Sequence, residues 1–356
     1  MLIWPLRIIH LTPPGRGAIA TVRLEGPGAL DAVAADFRTP NGRPLADFAP
    51  GRLIFGRFGT PPGEEVVVRR YSDEAIELHC HGGRAAAAMI EQVLIAAGAR
   101  VMSWRDWAAT REAEAIAVAA RIALADARTE RTAAILLDQY QGALRRALGE
   151  IEAKLHQGDP AGARRLTEML LARAPLGRHL TQPWQVVIAG SPNVGKSSLI
   201  NALAGYQRAI VHPAPGTTRD LVTVQTALDG WPVELCDTAG LHAGGDPVER
   251  AGIELARRRL AAADLVVLVF DRSRPWSDTD QEMLVAWPSA LVVHNKSDLP
   301  AADDGRPTGL SVSALGQQGT EGLAAAISAR LVPDPPPPGA AVPFTREQVE
   351  ALQRVP

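Results

Sequence analysis

The segment Gly190-Ser191-Pro192-Asn193-Val194-Gly195-Lys196-Ser197 sets two glycines, a lysine and a hydroxyl at the spacing G-x-x-x-x-G-K-S. Glycines at these places let backbone N–H groups turn inward around an anion at a helix N-terminus. The lysine can then reach the β- and γ-phosphates of a nucleoside triphosphate, and the next hydroxyl can ligate Mg²⁺. An apolar run at residues 186–189 precedes the loop and a helix-like run at 198–204 follows it, the strand–loop–helix context this motif requires. Asn193, Val194, Gly195, Lys196, Ser197 and Ser198 are therefore read as phosphate contacts, with Ser197 on the metal and Lys196 assisting catalysis.

Three further groups follow in order. Asp237-Thr238-Ala239-Gly240 closes an apolar run, where an Asp can hold Mg²⁺ through water and the Gly240 amide can sense the γ-phosphate. Asn295-Lys296-Ser297-Asp298 closes another. A carboxylate at Asp298 can accept from guanine N1–H and its N2 amine, a donor pair that adenine lacks; a mismatched base would leave it unpaired, at about 1–3 kcal/mol. Asn295 would bond N7 and tie loops together, and the Lys296 stem would pack near the base. Ser313-Ala314 would offer a backbone N–H to guanine O6. Between the first two motifs, Gly216-Thr217-Thr218-Arg219-Asp220 can close over the metal through Thr218. Ras-like enzymes orient the attacking water with a Gln just after the DxxG glycine; here that position is apolar Leu241. Glu249, after Pro247, is the best nearby acid, although a first-turn helix glutamate is also what a helix macrodipole favours.

Composition narrows the reading. Of 37 basic residues only Lys154, Lys196 and Lys296 are lysines, so a Lys kept in so Arg-biased a chain is a candidate for a place where a planar fork cannot substitute, and two of the three sit in the motifs above. At 356 residues and 46% hydrophobic, the chain is long enough for two or three domains with real cores. A net charge of −2 predicts no strong non-specific attraction to nucleic acid or acidic membranes. No apolar run is long enough to cross a bilayer. The N-terminus lacks a basic leader and a cleavage site, and Cys80 and Cys236 are too few for a disulfide framework, so a cytoplasmic protein is expected.

The elements that must position these residues are an α/β, P-loop GTPase-type domain at 183–332, a mostly parallel sheet with helices on both faces. Its strands are expected at 185–189, 233–236, 265–270 and 291–294. Before it, residues 1–107 mix short β-like runs, at 18–24, 52–58, 65–69 and 75–80, with Gly/Pro turns and a helix-like stretch at 84–97 after His81-Gly82-Gly83, and read as a small α+β domain. The Ala/Leu/Arg/Glu-rich stretch 108–180 reads as a helical segment. Residues 333–356 read as a stiff Pro-rich linker and a short terminal helix.

With these residues in place, the chain resembles the MnmE (TrmE) family of tRNA-modification GTPases. The likeness is carried by Thr12-Pro13-Pro14-Gly15-Arg16-Gly17, Glu77-Leu78-His79-Cys80-His81-Gly82-Gly83, Gly177-Arg178 and the Pro-Asn of the P-loop. Ala209-Ile210-Val211 leading to the 216–220 motif, and Glu249-Arg250-x-Gly252-Ile253, complete it. The resemblance implies a homodimer through the first domain, which in the family binds a formyl-tetrahydrofolate-type donor. It implies GTP hydrolysis to GDP and phosphate, stimulated when G-domains pair in K⁺, with K⁺ on Asn193 and Glu249 positioning water. It also implies tRNA wobble-uridine modification with an MnmG (GidA)-type partner protein.

The family pattern also has a second helical half after the G-domain, ending in Cys-Ile-Gly-Lys. Here Phe344-Thr345-Arg346-Glu347-Gln348 is soon followed by Pro356, so a shortened member without that tail is expected. Tyr71-Ser72-Asp73-Glu74 stands where the family has Ser-Tyr-Thr-Gly-Glu-Asp. Two alternatives remain beside the leading one: a ribosome-assembly or RNA-binding GTPase of Era or Der type, and a regulatory GTPase without modification chemistry.

Overall fold

The computed structural model describes residues 5–13, 15, 17–206, 223–237, 261–302 and 305–356. They fall into two compact units, Met1–Ala115 and Ile116–Pro356.

In the first unit, β1 (Arg7–His10), β2 (Ile19–Glu25), β3 (Phe37–Arg38), β4 (Leu53–Phe58), β5 (Glu64–Ser72), β6 (Ala75–His81) and β7 (Arg100–Val101) build one sheet, ordered β3-β4-β5-β6-β2-β1-β7. All pairings are antiparallel except β1 with β7. Side chains alternate across the pleat: Ile54, Phe58, Val66, Val68, Ile76 and Leu78 point to one core, where α1 (Ala29–Ala34) and α2 (Arg84–Ala96) supply Val33, Ile90 and Leu94. Cys80 is buried in that core. The unit runs past residue 107 because α3 (Trp104–Ala109) is tied back to β2: Trp107 Nε1 donates to Glu25 Oε2 at 2.5 Å, and Arg111 pairs with the same carboxylate. Two of the motifs read in the sequence meet here. The Gly82 N–H donates to Ala18 O at 2.9 Å, and a Cβ on Gly82 would lie 1.9 Å from Gly17 O, so only glycine fits.

In the second unit, β8 (Trp184–Ala189), β9 (Thr223–Leu228), β10 (Trp231–Asp237), β11 (Leu265–Asp271), β12 (Leu291–Asn295) and β13 (Leu310–Ser311) are ordered β13-β12-β11-β8-β10-β9. Neighbours are parallel except in the β9–β10 hairpin. Near-continuous apolar strands are needed because the sheet is covered on both faces. Val186, Ile188, Val267 and Val269 face one core; Val187, Ala189, Leu268 and Phe270 face the other. The first is closed by Leu199 and Leu203 of α8 (Lys196–Tyr206) and by Leu323 and Ile327 of the later helix Thr320–Leu331; the second is closed by Met283 and Leu284 of α9 (Asp278–Ala286). We number Thr320–Leu331 as α10. The antiparallel strand β9 has mixed polarity (Thr-Val-Gln-Thr) and was not expected from the sequence.

Helices α4 (Ala115–Asp126), α5 (Glu130–Tyr140), α6 (Ala143–His156), α7 (Pro160–Arg178) and α11 (Arg346–Gln353) form a helical layer. This layer shares a core with the sheet, since Leu136 of α5 and Leu176 of α7 pack with Val186, Leu235 and Trp231. The Pro-rich segment read as a spacer leads back into the same layer. Gln139, fully buried, donates through Nε2 to Ala340 O at 3.0 Å and accepts from Val342 N at 3.1 Å. Val342 is buried, and the chain passes so close to α7 that a Cβ on Gly177 would sit 1.9 Å from Pro343 O. Replacing Gly177 by Ala should therefore push the 340–344 segment off the helix and cost about 1–3 kcal/mol. Urea unfolding measures this; an unchanged midpoint would contradict the packing.

Candidate nucleotide site

The 190–197 loop joins the end of β8 to the start of α8, whose first-turn amides have no intrahelical acceptor and are open to an anion. Its backbone is unusual where the motif demands it. Gly195 has φ +95°, and a Cβ there would lie 2.3 Å from Asn295 Nδ2; a Cβ on Gly190 would lie 2.2 Å from Val269 O of β11. Asn193 also sits at positive φ (62°), which Asn tolerates better than most residues. Together these residues line an open cleft of about 480 Å³, bounded by Pro192, Asn193, Gly195, Lys196, Ser197, Ser198 and, from a distant loop, Lys296.

Within the cleft, Lys196 is largely buried, and its Nζ donates to Gly190 O at 2.9 Å and to Ser191 O at 3.0 Å. Burial pushes its pKa down, with the charge of Asp237 opposing that shift. The Ser197 hydroxyl donates to Asp237 Oδ2 at 2.6 Å. Asp237 is 4% exposed, and its other oxygen, Oδ1, is buried with no hydrogen-bond partner among the described residues. A hydroxyl and a carboxylate with an unsatisfied oxygen are hard oxygen donors of the kind Mg²⁺ takes. The pair fits the metal.

The base side is organised by Asn295, 2% exposed at the end of β12. Its Nδ2 donates to Val194 O of the phosphate loop at 2.8 Å, and its Oδ1 accepts from Ala314 N at 3.0 Å. One carboxamide thus joins the phosphate loop to the Ser313-Ala314 loop, the tie expected of this side chain. Its NH2 group keeps a second hydrogen that the Val194 bond does not use. Asp298 accepts a hydrogen bond from the Ser313 hydroxyl, which itself accepts from Gly316 N at 3.0 Å. That chain orients the carboxylate from behind.

Lys296 has φ +65° and its Nζ donates to Asp271 Oδ2 at 2.7 Å. Asp271 closes β11, in register with Asn295, and its Oδ1 accepts from Ser273 N at 3.0 Å and Ser273 Oγ at 2.6 Å. Burial raises the carboxyl's pKa, but Lys296 and the Ser273 donors outweigh it and hold it below the ordinary carboxylate range. Asp271 was missed in the sequence. The signal was present, since it closes an apolar strand just as Asp237 does.

The structure thus gathers Asn193, Val194, Gly195, Lys196, Ser197, Ser198 and Asp237 around the phosphate loop, and Asn295 joins them to the loops carrying Lys296, Asp298, Ser313 and Ala314. Thr218, Gly240 and Glu249 lie outside the described residues. Replacing Asp298 by Asn should shift preference from guanine to xanthine nucleotides by about tenfold or more, because the acceptor pair becomes half donor. Competition titration checks this; undiminished guanine preference would contradict the assigned contact.

Comparison with known proteins places this geometry. Residues 185–296 match the family described as 50S ribosome-binding GTPase. The chain is 35% identical to the tRNA modification GTPase MnmE of Thermus thermophilus over 382 residues, covering 96% of this chain and 86% of that protein. It is 32% identical to the MnmE of Geobacillus kaustophilus, covering 89% and 80%, and 36% identical to that of Chloroflexus aurantiacus, covering 81% and 72%. No helix among the described residues is long and apolar enough to cross a membrane. With its phosphate loop, Asp237 and the Asn295–Asp298 loop at the carboxyl ends of neighbouring strands of one sheet, and with likeness running through both units, this chain belongs to the MnmE family of tRNA modification GTPases.

Proposed function

We propose that the chain binds GTP in the 190–314 cleft, hydrolyses it to GDP and phosphate, and uses that cycle in modifying a tRNA. The observation that carries this reading is the bridge made by Asn295, which ties the phosphate loop to the Ser313-Ala314 loop beside a cleft lined by phosphate-loop residues and Lys296. Family membership supports the link to tRNA modification.

In this reading Asp298 accepts from guanine N1–H and N2, the Ala314 end of the base loop lies against O6, and Lys296 lays its stem along the base. Amides of residues 193–198 and the Lys196 ammonium hold the phosphate oxygens. Ser197, Thr218 and Asp237 would hold Mg²⁺, which would supply positive charge against that developing on the phosphate oxygens. Glu249 accepts a hydrogen bond from the attacking water and aims it at the γ-phosphorus. The P–O bond to GDP breaks as the bond to water oxygen forms, and the Gly240 amide tracks the γ-phosphate. Asn193 is the residue assigned to K⁺ when G-domains of two chains pair. The chain would act in the cytoplasm, with an MnmG-type protein as partner.

Steady-state turnover at fixed Mg²⁺ in K⁺ and in Na⁺, over a range of protein concentrations, tests the paired mechanism. Turnover per chain should be higher in K⁺ and should climb with concentration; indifference to both would dispose of pairing. In the same assay Glu249→Ala should lower kcat about 10²-fold or more while GTP affinity holds, and unchanged kcat would remove Glu249 from its role.

A further inference from the structure

We propose that Asp271 is a positioning residue for the base pocket: it fixes the side chain of Lys296 across the cleft, so that the purine meets a preformed wall. The inference rests on the guanine-site reading above and adds a residue to it.

Three observations converge. First, Lys296 lines the same cleft as the phosphate loop although it lies about a hundred residues away in sequence. Its backbone is in the left-handed region, at φ +65°, a conformation an L-residue other than Gly or Asn holds only when its surroundings impose it. Second, the side chain is held at its far end as well. The Nζ–Oδ2 distance to Asp271 is 2.7 Å, and the Asp271 side chain is only 4% exposed. A flexible lysine loses much rotamer freedom when pinned, and ligand binding need not supply that ordering again. Third, Asp271 is aligned on both oxygens. Ser273 donates twice to Oδ1, and this leaves Oδ2 facing Lys296, with the Arg274 guanidinium at 3.5 Å. Asp271 and Asn295 are register partners on adjacent parallel strands, and Arg272 N donates to Asn295 O at 2.9 Å. The base loop is therefore tied to the end of β11 by the Lys296–Asp271 ion pair and by Arg272, whose N–H meets Asn295 O, whose guanidinium donates to Ser297 O at 3.4 Å and whose carbonyl accepts from Ala302 N at 3.1 Å.

A plainer role for this aspartate is to cap the turn after β11 through Ser273. The two roles separate experimentally. Asp271→Asn keeps an oxygen for Ser273 and removes the charge facing Lys296, whereas Ser273→Ala removes the turn contact and leaves the ion pair.

The test is titration of a fluorescent GDP analogue into the full chain, wild type and variants, with GTP turnover alongside. Asp271→Asn should weaken GDP binding about tenfold and put that loss into KM. Lys296→Ala should cost a similar factor, and the double variant Asp271→Asn/Lys296→Ala no more than Lys296→Ala alone, because the two side chains act as one unit. Ser273→Ala should bind within about twofold of wild type. Losses that multiply in the double variant, an Asp271→Asn protein that binds GDP as tightly as wild type, or a Ser273→Ala protein as weak as Asp271→Asn would each overturn the proposal. Should Asp271→Asn fail to fold, Lys296→Met decides it, because it keeps the apolar stem and removes the ammonium that Asp271 holds: a loss close to that of Lys296→Ala supports the proposal, and wild-type binding overturns it. Failure of the wild-type chain to bind GDP at all would instead sink the guanine-site reading.

Discussion

The nucleotide cleft depends on a single buried carboxamide. Asn295 gives its two donor-acceptor functions to two different loops, Val194 O on one side and Ala314 N on the other, at 2.8 and 3.0 Å. A buried amide left unpaired costs about 1–3 kcal/mol, so separating either loop from β12 is penalised at the point where the phosphate and base ends of a nucleotide must be kept a fixed distance apart. The close approach of Gly195 to the same amide nitrogen, too tight for any Cβ, follows from this arrangement. The loop glycine and the asparagine are two halves of one contact.

That contact is useful only if its supports do not move, and the sheet provides this. β8, β11 and β12 are parallel neighbours whose alternate residues enter two separate cores, so the strand ends carrying Gly190, Asp271 and Asn295 are held from both faces. Asp237 joins them from β10. The four strands deliver a turn, two carboxylates and an amide to their carboxyl ends, the place where ligands bind in open α/β sheets. The helical layer is bound into the same core through Leu136, Leu176 and the returning 340–344 segment, which gives the sheet a covering that the phosphate loop alone would not require.

Much of this was legible in the sequence because the chemistry is local. Four of the six strands of the nucleotide sheet stand out as apolar runs, three of them ending in polar motifs, and the phosphate loop is a contiguous string. In the first unit β2, β4, β5, β6 and α2 were readable from alternation and from the Gly82-Gly83 turn, though not the pairing that puts Gly17 against Gly82. What was hidden is long-range. β9 has too mixed a pattern to announce a strand and is defined by its partner β10. The Pro-rich tail has a spacer's composition, yet two apolar residues, Val342 and Phe344, and the partner Gln139 about two hundred residues away bring it back onto the helices. Asp271 carries no motif, and its significance comes only from Lys296 arriving beside it. Asn295 was recognised as a tie between loops, but its two partners, Val194 O and Ala314 N, lie far from it in sequence and are named only by the fold.

The central claim is that the phosphate loop holds the triphosphate while Asp298, steadied by Ser313, selects the purine. Direct calorimetric titration of the wild-type chain with GTP and with ATP, at the same Mg²⁺, tests it most simply. The account predicts tight binding of GTP and a loss of at least about 10²-fold for ATP, since adenine leaves the Asp298 carboxylate without donors. Equal affinity for the two nucleotides would contradict it.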